Sequence, residues 1–107
     1  KDQHCVDNYI GDFPTFIEPV HLGKNVKIGD DVMIGPNVYI GDNCEIGDYV
    51  ELANTILFDH VVLGENFTLE NCIIAPNSKL RFNNLKAFAS ILKGEADSVE
   101  SAQIFSF

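Results

Sequence analysis

The chain has no tryptophan, one methionine and only three cysteines among its 107 residues. Basic residues are scarce too, with seven Lys and Arg against sixteen Asp and Glu, for a formal net charge of −9. A chain so acidic is a poor partner for nucleic acid, whose binding rests largely on Lys and Arg neutralising phosphates. No apolar run approaches the roughly 20 residues that cross a bilayer as a helix, and no basic and apolar leader opens the sequence. The first residue is Lys1 rather than Met, which suggests a processed chain or a piece of a longer one. The cysteines, Cys5, Cys44 and Cys72, are odd in number and lack metal-type spacing. Cys44 and Cys72 fall where small apolar residues recur, so they read as core thiols in a reducing, cytoplasmic setting.

What the chain does have is a beat of six. In VKIGDDVMIGPNVYIGDNCEIGDYVEL, Val26 to Leu52, Ile-Gly recurs four times at intervals of six. Stepping by six from Ile10 gives Phe16, Leu22, Ile28, Ile34, Ile40, Ile46, Leu52 and Phe58, all large and apolar. A second apolar residue sits two places earlier at Val20, Val26, Val32, Val38, Cys44, Val50 and Ile56. Glycine follows the large residue at Gly11, Gly23, Gly29, Gly35, Gly41 and Gly47. Two inward residues flanking an outward one make a very short strand. Gly, Asn and Asp then supply a corner, with positive φ expected at glycines such as Gly35 and Gly41. Three hexads close one triangular coil, and coils stack through parallel backbone hydrogen bonds. This predicts that Leu22, Ile40 and Phe58 stack. After Phe58 two steps shorten to five, with inward pairs at Val61/Leu63, Phe67/Leu69, Cys72/Ile74 and Ser78/Leu80.

The expected fold is therefore all-β: a parallel β-helix of about four coils over residues 10–80. A lead-in, 1–9, would precede it, and a C-terminal helical segment with an apolar tail, 81–107, would follow. Asn84 can cap a helix with Leu85, Phe88, Ala89 and Leu92 on one face and Gly94 as its stop. The tail, Ile104 to Phe107, should pack on this molecule or a neighbour.

The repeat resembles the hexapeptide-repeat superfamily, which winds left-handed. The segment ELANTILFDHVVLGENFTLENCIIAPNSKL, Glu51 to Leu80, narrows the likeness. Asn54-Thr55-Ile56-Leu57, Asp59-His60-Val61-Val62-Leu63-Gly64-Glu65-Asn66 and Asn71-Cys72-Ile73-Ile74 resemble the C-terminal domain of sugar-phosphate nucleotidylyltransferases. The mannose-1-phosphate guanylyltransferase and glucose-1-phosphate thymidylyltransferase types are examples. The opening EPVHLGKNVKIGDD, Glu18 to Asp31, agrees. The resemblance implies an oligomerisation or regulatory domain of a parent that joins a sugar 1-phosphate to a nucleoside triphosphate with Mg²⁺, releasing pyrophosphate. No Gly-rich phosphate loop occurs in these 107 residues, so no cofactor and no catalytic residue is expected here. A missing N-terminal nucleotide-binding domain and a homo-oligomer, dimer or trimer, are the implied partners.

The alternative is a stand-alone acyltransferase using acetyl-CoA, with His60 or His21 as general base. His60 follows Asp59, His21 points outward between Val20 and Leu22, and His4 precedes the first hexad. Zinc held by His4, His21 and His60 would need ligands meeting across a subunit boundary. Asp30, Asp31, Asp42, Asp48 and Asp59 could form a calcium ladder, but corners recruit Asp for turn geometry anyway. Lys24, Lys27, Lys79 and Arg81 are few for a phosphate site. Outward Met33, Tyr39 and Leu57, with Val62, Ile73 and the tail residues Phe105 and Phe107, are the candidate interface.

Overall fold

The computed structural model describes residues 8–107. His4 and Cys5 lie outside the described residues. The hexads form the expected object: a single-stranded left-handed parallel β-helix with three walls. The first wall stacks Tyr9–Ile10, Lys27–Ile28, Glu45–Ile46, Val62–Leu63, Lys79–Leu80 and Glu95–Ala96. The second stacks Thr15–Phe16, Met33–Ile34, Glu51–Ala53, Phe67–Glu70 and Leu85–Phe88. The third stacks Val20–Leu22, Val38–Ile40, Thr55–Leu57, Ile73–Ile74 and Ser90–Lys93, and ends on Gln103–Ser106.

The inward residues make one continuous core. Ile28, Ile46, Leu63 and Leu80 stack in the first wall, and Ile34, Leu52 and Leu69 in the second. All are essentially sealed from solvent. Each such side chain contributes about 1.5–3 kcal/mol through burial. Val61, Phe67, Cys72 and Ser78 point inward as the shortened steps require. Ser78 is tolerated there because its hydroxyl donates to the Ala75 carbonyl at 2.6 Å.

Four expectations are corrected. The first five-residue step falls one corner earlier than the sequence suggests. Leu22 and Ile40 stack on Leu57, not Phe58. Leu57 is fully buried, so it is core and not interface, while Ile56 and Phe58 are 37% and 41% exposed. Thr55 takes the small inward position, its hydroxyl satisfied by the Ala53 carbonyl at 2.8 Å.

The second correction is at the C-terminus. Residues 84–94 are not a helix but most of a fifth coil. Leu85 and Ala87 extend the Phe67 and Leu69 stacks, and Leu92 extends Ile74. The upper edge of the fourth coil offers a row of unpaired backbone groups. The same apolar residues satisfy them as strands and bury their side chains at once. The helical piece is a single 3-10 turn, Val99–Ser101, after which Gln103–Ser106 runs antiparallel against Ser90–Lys93.

Third, the coil count is five, read on the five strands of the second wall. Fourth, the corner glycines are not the positive-φ residues. Apart from Gly35, at φ +117°, they are ordinary in φ, and the left-handed positions are Asn25, Asp31, Asn37, Asn43, Tyr49, Asn54, His60, Asn66 and their equivalents. Asn and Asp tolerate that region best among residues with a side chain.

Candidate functional site

Strand register lines the outward residues up into columns, one running the length of each wall; the longer strands add a second outward residue, Glu70 and Phe88 in the second wall and Lys93 in the third. The first wall shows Tyr9, Lys27, Glu45, Val62, Lys79 and Glu95. Charges of opposite sign adjoin in it, which is favourable on a solvated sheet face. The second wall shows Thr15, Met33, Glu51, Thr68 and Lys86, a mixed polar face. Met33 thus stands alone, 45% exposed, between Thr15 and Glu51.

The third wall differs. Its column runs His21, Tyr39, Ile56, Ile73, Ile91 and Phe105. It contains no carboxylate, ammonium or guanidinium. His21 and Tyr39 stack with ring centroids 4.6 Å apart and planes 9° from parallel. A shallow groove of about 290 Å³ lies beside them, bounded by Glu18, Asn37 and Ile56. At the other end the Lys93 ammonium sits 5.6 Å from the Phe105 ring centroid, over its face. Of the candidate interface residues, Tyr39, Ile73 and Phe105 fall in this column, while Phe107 follows the last strand beside the Ala89 corner, its N–H donating to the Ala89 carbonyl. Successive members of the column are 14 to 18 residues apart in the chain, so pattern reading does not reveal their alignment, and it misplaces two of them, Ile56 read as inward and Ile91 read into a helix.

His21 and His60 are not brought together. His21 lies in the third wall, and His60 occupies a left-handed corner at φ 62°. The His60 N–H donates to the Asp42 carbonyl at 2.9 Å, and its own carbonyl accepts from the Lys79 ammonium. Asp59, the residue that would orient His60, instead turns its carboxylate to the Asp42 N–H at 2.8 Å.

That contact is one rung of a ladder that accounts for the acidic corners. Asp12, Lys24 and Asp30 donate their N–H groups to Asp30, Asp42 and Asp48 of the next coil at 2.8–2.9 Å. Asn83 receives the Glu65 N–H in the same way at 3.0 Å. Side chains of Asn25 and Asn43, Asn37 and Asn54, and Asn66 and Asn84 link the neighbouring left-handed corners. The carboxylates of Asp30, Asp42, Asp48 and Asp59 therefore bond coil to coil rather than holding out oxygens for calcium, while Asp31 takes a left-handed corner position. Among the described residues no group of three His, Cys, Asp or Glu side chains converges as a metal site would require.

Lys79 and Arg81 border an open depression near the C-terminal end, shared with Glu95 and Asp97, so its basic character is offset. Lys24 and Lys27 lie elsewhere, two and five residues after Leu22. Cys44 and Cys72 are buried free thiols, and desolvation raises the pKa of each. That makes them poor nucleophiles.

Compared with known families, residues 16–102 match the model described as GMPPB C-terminal domain. The chain belongs to that family. The match spans the β-helix from the first coil to the 3-10 turn, so the family is defined by the prism itself. The quoted segment Glu51 to Leu80, which carried the nucleotidylyltransferase resemblance, lies wholly inside it. No curated protein matches the chain.

Among solved structures, a hexapeptide-repeat acetyltransferase from Vibrio cholerae is 16% identical, with 91% of this chain and 72% of that one covered and a TM-score of 0.44. A hexapeptide transferase family protein from Anaplasma phagocytophilum is 12% identical, with 94% and 84% covered and a TM-score of 0.42. A mutant perosamine N-acetyltransferase from Caulobacter crescentus, solved with CoA and GDP-perosamine, is 17% identical, with 95% and 58% covered and a TM-score of 0.37.

Proposed function

We propose that the chain is the non-catalytic C-terminal assembly or regulatory domain of a sugar-phosphate nucleotidylyltransferase. The match of residues 16–102 to a C-terminal domain family carries this reading. The site geometry supports it. Among the described residues, the outward surface brings together no set of acid, base and anion-binding groups, and it carries an apolar wall suited to contact. In this reading the nucleoside triphosphate, the sugar 1-phosphate and Mg²⁺ are handled by a preceding nucleotide-binding domain, and this domain needs no cofactor of its own. Two buried free thiols suit a reducing compartment, the cytoplasm, and no helix here is long and apolar enough to cross a membrane.

The acyltransferase alternative asks His60 or His21 to act as general base on acetyl-CoA. Asp59 is committed to the coil-to-coil ladder, and the His21 ring is stacked on Tyr39.

The test is a paired one. The reading frame that encodes this chain should contain a nucleotide-binding region upstream, and nucleotidyl transfer should be lost when that region is deleted. The 107-residue chain alone should show neither nucleotidyl transfer nor heat of acetyl-CoA binding in calorimetry. Acetyl-CoA binding abolished by His60→Ala or His21→Ala would replace this reading with the acyltransferase.

A further inference from the structure

We propose that the third wall is the face through which the chain pairs with a second copy of itself, wall against wall about a two-fold axis. The proposal rests on the assembly-domain reading for its purpose and on the strand register for its geometry.

Charge comes first. The chain carries −9, so two copies repel unless they meet where no acidic residue stands. Among the described residues, the column of His21, Tyr39, Ile56, Ile73, Ile91 and Phe105 carries no fixed charge, with Glu18 only at the rim of its groove and Lys93 beside Phe105 at its end. Lys27, Glu45, Lys79 and Glu95 occupy the first wall, and Glu51 and Lys86 the second.

Continuity is the second observation. The coils end at Glu95–Ala96, yet the chain returns after the 3-10 turn to add Gln103–Ser106 to this wall alone. The added strand half-buries Ile104 against the core and sets Phe105, 51% exposed, beside Ile91. A strand needed only to cover the edge could carry a polar residue at position 105. This one lengthens the apolar column by a further rung.

Area is the third. Six strands about 4.8 Å apart span ~24 Å, and the prism is 22 Å across. Two such walls in contact bury on the order of 500 Å² each, just at the ~1,000 Å² total that separates specific interfaces from incidental ones. This predicts a reversible dimer of modest affinity. Symmetry sets the number of copies. A ring of three needs two different complementary patches on each copy, whereas a two-fold pair needs one patch that matches itself. Only one wall is apolar.

Sedimentation equilibrium of the 107-residue chain from micromolar to submillimolar concentration tests this. The expected result is a monomer–dimer equilibrium. Ile73→Glu, at the centre of the column, and Phe105→Ser, at its exposed end, should each raise the dimer dissociation constant about tenfold or more. Thr68→Glu, in the same coil but on the second wall, should leave it unchanged. Circular dichroism melts at one low concentration separate loss of pairing from loss of fold, and Phe105→Ser, on an exposed side chain, guards against an unfolded Ile73→Glu. A strict monomer across the whole range would overturn the proposal and assign the wall to the preceding domain. A trimer, or equal weakening by Thr68→Glu, would overturn it as well. None of these readouts depends on nucleotidyl transfer, so the pairing and the assembly-domain reading can fail separately.

Discussion

The carboxylate of Asp48 occupies the space that a Cβ on Gly29 would need. From there its Oδ1 accepts the N–H of Asp30 at 2.8 Å, one coil below it in sequence. Asp30 over Gly11, Asp42 over Gly23 and Asp59 over Gly41 repeat the arrangement. At Gly11, Gly23, Gly29 and Gly41, glycine follows the large inward residue because the next coil's aspartate must sit there, not because the backbone turns left-handed at that position.

Gly29→Ala should therefore destabilise the chain by about 1–3 kcal/mol, the usual effect of forcing a methyl group into filled space. Asp48→Ala should cost roughly 1 kcal/mol for the lost hydrogen bond. It should not rescue Gly29→Ala, because the backbone at Gly47 and Asp48 also lies within 2.8 Å of the added carbon. Denaturant melts of both single variants and the double variant would decide. Full rescue would show that the side chain alone enforces the glycine.

Leu57→Ala should cost about 2–5 kcal/mol, as expected for a buried large-to-small change, and so should Ile40→Ala, which stacks beside it. Phe58→Ala and Tyr39→Ala, each more than 40% exposed, should cost far less in the monomer. Comparable losses at Leu57 and Phe58 would mean that the five-residue step lies one corner later.

Ala89 sits in a left-handed corner at φ 50°, where most of its equivalents are Asn. A residue with a Cβ is strained there by roughly 1–2 kcal/mol, and Asn less so. Ala89→Asn should raise stability by about 0.5–1 kcal/mol, read as a higher denaturant midpoint at constant slope. A lower midpoint would show that this corner has no room for the longer side chain.

Burial raises the pKa of Cys44 and Cys72 above the ordinary 9.0. Near and above that pH the unfolded chain ionises these thiols while the folded chain still holds their protons. The stability this contributes is complete below pH 9.0 and is lost as pH rises toward the folded values. Melts should therefore weaken through this range, and less so in Cys44→Ala/Cys72→Ala relative to its own neutral-pH stability. Alkylation of both thiols should be slow in the native chain and rapid in denaturant. Fast native labelling of Cys72 would mean that the wall opens beside it.

The sequence by itself determined the wall-and-corner architecture, because a period of six with two inward residues satisfies no helix and no flat sheet. It also determined the inward pairs from Val20 to Leu52 and from Val61 to Leu80, where the beat is unbroken or only slips. Three things were decided by tertiary structure. Placement of the first short corner depends on which of Leu57 and Phe58 fits over Ile40, a contact 17 residues away. The fifth coil depends on the unpaired edge of the fourth, since Leu85, Ala87 and Leu92 suit a strand there as well as Leu85, Phe88 and Leu92 suit a helix in isolation. The charge-free column of the third wall depends on both, because coils of unequal length align residues that no fixed spacing connects. Local pattern reports which way a side chain points. What stands beside it is set by register, which is a property of the whole stack.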